Sequence, residues 1–233
     1  MLLVINRCSF ESRTMNWIDE LTLRKEKSDN MFIVCSDLEG IFTPEIWINF
    51  AEITGIEELR LTTRDISDYN VLMKRRLAIL DENDLTLDDI QTVIRKMEPV
   101  EGALDFLNWL RSLVEVIIVS DTYVEFAAPL MKKLDRPTLF CNTLSVNPEG
   151  AIAGYNLRQQ DGKRKVALAL KSLNYQVIAI GDSYNDITML QAADHAILYR
   201  PPDNVLKEYD EFPAAFNYEE LKERLLDIMN QMD

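Results

Sequence analysis

The chain has 233 residues, with 25 lysines and arginines against 39 aspartates and glutamates, a formal net charge of −14. That surplus of negative charge opposes docking on nucleic-acid phosphates or on anionic lipid, so neither a nucleic acid nor a membrane is expected as a partner. Hydrophobic residues make up 47% of the chain, ample for a packed core, and no apolar run approaches the ~20 residues of a bilayer span.

In chain order, the opening run Met1–Ile5 is too short for a signal peptide and meets Arg7 at once. Cys8, Cys35 and Cys141 are odd in number and lack metal-like spacing, which favours a reduced, cytoplasmic setting. Met15–Leu23 reads as a short helix ahead of the polar run Arg24–Asn30. The first strong strand is Phe32–Ser36, short, apolar and β-branched, and it ends in the turn Asp37-Leu38-Glu39-Gly40. Thr43-Pro44 reads as an N-cap with proline at the first helical position, opening a helix over Ile46–Ile53. Tyr69–Leu80 is expected to be helical, with Val71, Leu72, Leu77 and Leu80 on its apolar side. Thr86 and Asp89 have capping-box spacing, with aspartate where glutamate or glutamine is usual. No strand interrupts this region, so residues 43–97 read as a helical insertion.

After Pro99 helix and strand alternate. Helices are predicted over Ala103–Leu113, Val124–Leu134 (bent at Pro129), Lys163–Leu173 and Ile187–Ala193, and two more after Pro201-Pro202. Strands are predicted over Val114–Val119, Val177–Ile180 and Ala196–Tyr199, with Thr138–Val146 and Ala151–Leu157 paired around Pro148-Glu149-Gly150. The fold class is α/β: a Rossmann-like parallel sheet covered on both faces, with a helical cap inserted after the first strand.

Ligands of an open parallel sheet bind beyond the carboxyl ends of its strands. Three strands here end in reactive groups: Asp37-x-Glu39, Ser120-Asp121-Thr122 and the run Gly181-Asp182-Ser183-Tyr184-Asn185-Asp186. Lys163 opens the helix leading to the third. Taken in this order, the residues resemble the four motifs of the haloacid dehalogenase superfamily of phosphoryl-transfer enzymes, and the helical insertion resembles the cap of its phosphoserine phosphatase branch. The stretches DLEGIFTPEIWINFAE, TTRDISDYNVLMKRRLAIL, VSDTYVEFAAPLM and GDSYNDITML are similar to the bifunctional members of that branch, which also transfer phosphate to homoserine. The match runs from about Met31 to the C-terminal helix. Members begin near Met31, so residues 1–30 are expected to be an N-terminal extension, with 31–42 and 98–233 the catalytic core and 43–97 the cap.

The resemblance implies an Mg²⁺-dependent enzyme acting on phosphoserine through an aspartyl-phosphate. It makes Asp37 the nucleophile, and it assigns the metal to the Asp37 carboxylate, the Glu39 carbonyl, Asp182 and Asp186. Glu39 becomes the general acid–base, at a position where most superfamily phosphatases carry aspartate; the phosphotransferase branch shares this glutamate. Ser120 and Lys163 correspond to the phosphate clamp, with Arg164 as the neighbouring alternative to Lys163. Glu45 would meet the substrate ammonium and Arg76 its carboxylate, with Asn185 and the backbone at Asp121 completing the pocket.

Blander readings stand beside these. Arg76 adjoins Lys74 and Arg75 and could lie on a solvated basic face, Ser120 could cap a helix, and Asp182 could close a turn. His195, Trp47, Phe50, Phe106, Trp109 and Cys35 read as structural. The rival functions are a superfamily phosphatase for another small phosphate ester and a phospho-accepting signalling module. The Glu45/Arg76 pair, suited to a zwitterion, argues against the first. The length, the cap and Glu39 argue against the second.

Overall fold

A computed structural model describes residues 31–62, 65, 66 and 68–230. The expected helix Met15–Leu23 and Cys8 lie outside the described residues. The order is β1 (Met31–Ser36), α1 (Ile46–Thr54), a short 3-10 turn, α2 (Tyr69–Glu82), α3 (Leu87–Ile94), α4 (Ala103–Leu113), β2 (Glu115–Tyr123) and α5 (Val124–Lys133). There follow β3 (Thr138–Val146), β4 (Ile152–Asn156), α6 (Gly162–Ser172), β5 (Tyr175–Gly181), α7 (Ile187–Ala192), β6 (His195–Tyr199), α8 (Asp203–Glu208), β7 (Ala214–Ala215) and α9 (Tyr218–Asn230). Among the described residues no helix is long and apolar enough to cross a membrane.

The strands form one seven-stranded sheet in the order β4-β3-β2-β1-β5-β6-β7. Every pairing is parallel except β3 with β4, the predicted hairpin. β1 is central, and its near-continuous apolar sequence follows from burial on both faces. Alternate residues enter opposite cores. Val34, Ile178 and Ile180 join Phe106, Phe126 and Leu221 on one face. Ile33, Cys35, Val177 and Ala179 join Ala167, Ile187 and Val205 on the other. The first core continues without a break into α1 and α3 through Ile46, Trp47, Phe50, Ile90 and Ile94. Burial in this sheet pushes the Cys35 thiol up to about 12, an inert hydrophobe as expected.

Several local expectations need correction. Helix α1 does not begin at Thr43-Pro44. Thr43 is buried in the preceding loop, where its N–H donates to Leu38 O at 3.1 Å, and the extended N-cap is Glu45, which makes no side-chain cap bond. The first helical N–H, that of Ile46, donates instead to the Glu39 carboxylate at 2.9 Å. β2 runs on to Tyr123 rather than stopping at Val119. Between Val119 and Tyr123 it advances four residues while β3 advances two, from Phe140 to Asn142. The bulge frees Ser120-Asp121-Thr122 from regular pairing. Val71 is exposed, because the inward stripe of α2 runs through Leu72, Met73, Arg76, Ile79 and Leu80. Trp109 is only half-buried against the core.

Two devices behave as their chemistry requires. The Thr86/Asp89 capping box forms, aspartate included. Pro129 lies inside α5 and has no N–H for the Glu125 carbonyl one turn back; the Gln91 side chain of α3 donates to that carbonyl at 2.8 Å.

Candidate active site

Because β1, β2 and β5 are adjacent and parallel, their carboxyl ends deliver Asp37, Ser120 and Asp182 to one rim. A cavity of about 170 Å³ opens there, lined by all three together with Glu39, Glu45, Arg76, Asp121, Lys163 and Asn185. Asp186 is buried beside it.

Lys163 is the electrostatic hub. It is 3% exposed, and its Nζ lies 2.7 Å from Asp186 Oδ1, 3.0 Å from Asp37 Oδ1 and 3.7 Å from Asp121 Oδ2. The contact with Asp37 is an ion pair without the alignment of a hydrogen bond. Burial alone would lower the lysine pKa, but Asp186, Asp37 and Asp121 reverse this and hold it well above the usual value. Arg164, its sequence rival, is exposed and pairs loosely with Asp161 at 3.7 Å. Asp186 is fixed on both oxygens, since its Oδ2 also accepts from the N–H groups of Asp182 at 3.0 Å and Ser183 at 3.2 Å.

Asp37, Asp182 and Asp186 each place a carboxylate oxygen within 4.8 Å of the others. One lysine cannot neutralise three such groups. Burial, Asp186 and Asp182 push Asp37 well above the carboxylate range despite Lys163, and burial with Asp186 and Glu45 pushes Asp182 up to about 7. A buried, all-oxygen cluster with excess negative charge fits a hard divalent cation. Two glycines make room for these carboxylates. A Cβ on Gly40, whose φ is +78°, would strike the Asp182 carboxylate, and one on Gly181 would strike Asp186.

Glu39 is half-buried in the cavity and held by Ile46 N–H; burial and the neighbouring Glu45 push its carboxyl up to about 8. Ser120 is buried and accepts from Thr122 N–H at 3.2 Å, a local turn rather than a helix cap. The Asp121 carboxylate accepts from Asn185 Nδ2 at 3.1 Å. Its carbonyl is already engaged by Asn142 Nδ2 at 3.0 Å and Tyr69 Oη at 3.2 Å.

Arg76 is not on a solvated face. Lys74 and Arg75 are exposed, whereas Arg76 is 6% exposed, stacks over the Trp47 ring at 4.4 Å and donates from Nη2 to Leu61 O at 2.8 Å. Its Nε has no hydrogen-bond partner. Burial pushes its pKa down to about 10, which still leaves it charged at neutral pH.

Sequence reasoning missed Tyr69, Leu72 and Tyr123 and placed Trp47 only in the core; all four line the cavity. The available signal was spacing, since Tyr69, Leu72 and Arg76 stand at i, i+3 and i+7 and so share one helix face.

The sequence pattern of haloacid dehalogenase-like hydrolases matches residues 31–194. The phosphoserine phosphatase of Pseudomonas syringae pv. tomato is 54% identical over 199 residues, 85% of this chain and 84% of that protein. The phosphoserine phosphatase ThrH of Pseudomonas aeruginosa is 55% identical over 196 residues, 84% of this chain and 96% of that one. Among solved structures, a phospho-aspartyl intermediate analogue of phosphoserine phosphatase is similar with a TM-score of 0.68 at 19% identity, covering 84% of this chain and 99% of that one. A substrate-bound phosphoserine phosphatase gives 0.67 at 18%, covering 85% and 98%. The structural likenesses concern the fold.

Proposed function

The chain belongs to the haloacid dehalogenase-like hydrolase family, and we propose that it hydrolyses phosphoserine through an aspartyl-phosphate on Asp37, with homoserine able to replace water as acceptor. The observation that carries this reading is a single small cavity holding both a strand-end phosphoryl site (Asp37, Ser120, Lys163) and a buried arginine with a glutamate, Arg76 and Glu45. Such a pair suits the carboxylate and ammonium of an α-amino acid. The two Pseudomonas relatives, named phosphoserine phosphatases, support the same substrate.

In the first half-reaction an Asp37 oxygen attacks phosphorus as the bond to the serine oxygen breaks, and Glu39 gives its proton to that oxygen. Ile46 N–H aims the Glu39 carboxyl into the cavity. Lys163 and Ser120 meet the equatorial phosphoryl oxygens, where charge is spread as the group transfers. In the second half-reaction Glu39 takes a proton from water or from the homoserine hydroxyl, whose oxygen attacks phosphorus and releases Asp37. Asp37, Asp182, Asp186 and the Glu39 carbonyl would hold Mg²⁺, which offsets the repulsion between carboxylate and phosphate dianion. Asn185 and Asp121 close the rim.

Residues 43–97 act as a cap over a core formed by 31–42 and 98–233. This division is supported by the absence of any strand among the described residues between β1 and β2, and by the contribution of Arg76 and Glu45 from the helical segment. The free, buried Cys35 and Cys141 support a reducing, cytoplasmic setting.

The test is turnover of phosphoserine with Mg²⁺, with and without homoserine, following serine, phosphate and phosphohomoserine together. Serine balanced by phosphate plus phosphohomoserine is expected. Serine balanced by phosphate alone removes the transferase activity. No serine release, with turnover of other small phosphate esters, removes phosphoserine as the substrate.

A further inference from the structure

We propose that Tyr69 is a positioning residue: its hydroxyl fastens the first turn of α2 to the bulged end of β2, and so sets where Arg76 stands and how well the closed cavity excludes water. The inference rests on the substrate reading above for its kinetic consequences, and on geometry alone for the fastening.

A phenol has one proton to give. Tyr69 Oη donates to Asp121 O at 3.2 Å, so the 2.7 Å contact between Tyr69 Oη and Tyr123 Oη has Tyr123 donating. The result is a directed chain from Tyr123 to Tyr69 to the Asp121 carbonyl. It spans from the core, where Tyr123 is 1% exposed, across α2 and back to the strand end that carries Ser120. Asn142 of β3 fills the second lone pair of the same carbonyl at 3.0 Å. Burial pushes both phenols above the ordinary value, so both remain neutral donors. Tyr155 of β4 adds a grip on the same turn, donating to Asn70 Oδ1 at 2.6 Å and packing edge-on to Tyr69.

Arg76 lies two turns further along the face that Tyr69 begins, about 10 Å up the helix axis. Leu72, Met73, Ile79 and Leu80 seat the rest of α2 in the core, so the hydroxyl sets the tilt of the first turns, along which Arg76 stands. Releasing the hydroxyl lets those turns shift, which blurs the carboxylate site and admits water to the aspartyl-phosphate.

The two tyrosines are not equivalent. Tyr69→Phe removes both bonds of the chain and leaves the buried Tyr123 hydroxyl without its acceptor. Tyr123→Phe removes one bond and leaves Tyr69 on Asp121.

The experiment compares wild type, both single variants and the double variant, all as full chains. The readouts are KM and kcat on phosphoserine and on an aryl phosphate, the phosphohomoserine-to-phosphate ratio, and backbone hydrogen exchange. For Tyr69→Phe we expect KM for phosphoserine to rise about tenfold and the product ratio to move about fivefold toward phosphate, with a smaller loss on the aryl phosphate. Exchange should quicken over residues 71–80 while β1 and β5 stay protected, which shows that the core is folded. Tyr123→Phe should change each value about threefold or less. The double variant should be no worse than Tyr69→Phe, since the orphaned hydroxyl is gone.

Unchanged KM, ratio and exchange in Tyr69→Phe overturn the proposal, as does a Tyr123→Phe effect equal to or larger than that of Tyr69→Phe. If the wild type turns over the aryl phosphate but not phosphoserine, the substrate reading fails and exchange alone decides. Faster exchange of α2 in Tyr69→Phe then supports the fastening, and unchanged exchange overturns it.

Discussion

Replacing Arg76 by alanine tests the substrate assignment at its most specific point. The guanidinium is 6% exposed, so solvent screens it little, and it has donors in reserve: Nε is unpartnered, and Nη2 gives only one of its hydrogens to Leu61 O. Truncating one side of a buried charge-assisted contact costs about 2–5 kcal/mol. Taking about 3 kcal/mol, kcat/KM for phosphoserine should fall about 100-fold. Phosphoethanolamine keeps the phosphate and the ammonium and lacks only the carboxylate. Its kcat/KM should fall less than about threefold, the modest residue of a slightly looser cavity. The assay is steady-state phosphate release from both substrates with wild type, Arg76→Ala and Arg76→Lys. The lysine variant should fall between the other two, since it restores a point charge without the planar fork. Loss of the Leu61 bond and of the Trp47 stack should lower stability by about 1–2 kcal/mol, so folding is checked in parallel by urea unfolding. Equal falls on the two substrates would refute the reasoning, because Arg76 would then serve the phosphate or the fold.

Three further outcomes follow from the same geometry. Lys163→Met leaves Asp37, Asp182 and Asp186 without their cation, so the metal-free protein should lose about 3–5 kcal/mol and all turnover; Mg²⁺ should raise the Tm of the variant more than that of wild type. An unaltered Tm without metal would show that the lysine does not neutralise the cluster. Gly181→Ala drives a methyl into the Asp186 side chain, which is clamped by Lys163 and two backbone N–H groups, and should cost about 1–3 kcal/mol; wild-type stability would reject that packing. Thr86→Ala should cost about 1 kcal/mol through loss of the capping box. Thr86 holds the Asp89 carboxyl below its ordinary value through the side-chain and backbone donors. That stabilisation is complete above the ordinary carboxylate pKa and fades as pH falls through the depressed one, so the deficit should narrow in acid. A deficit that widens in acid contradicts the assignment.

The sheet and its rim were largely legible because their signals are local. Alternating helix and strand, and polar residues at three strand ends, need no knowledge of distant contacts; spacing and the motif match favoured Lys163 over Arg164, and burial of the first with exposure of the second distinguishes them. The errors share a different cause. The N-cap of α1 was misplaced because its first N–H is taken by the Glu39 side chain, seven residues back and outside the helix, while local rules favoured Thr43. The extension of β2 was hidden because a bulge is defined by its partner strand. Tyr69 and Tyr123 carried no motif; they meet across 54 residues of chain, through a pairing that no local period encodes. β7 is two residues long and exists only because β6 offers it an edge.

The unbroken apolar core between the sheet and α1 has a consequence for how a substrate enters. Ile46, Trp47 and Phe50 are each buried, with Trp47 edge-on to Phe126 of α5 at 5.5 Å. Lifting α1 away would expose all three, at about 1.5–3 kcal/mol apiece, or roughly 5–9 kcal/mol together. A state that costly is occupied less than about once in a thousand, a rare opening through which to route every turnover. The first turn of α2 is held in two ways, by three hydroxyl hydrogen bonds and by Leu72, which is buried, with Tyr69 packed against the core. The α1 interface thus ties the helical segment to the sheet, so that Ile46, Trp47 and Phe50 stay in place whichever part of the cavity wall moves.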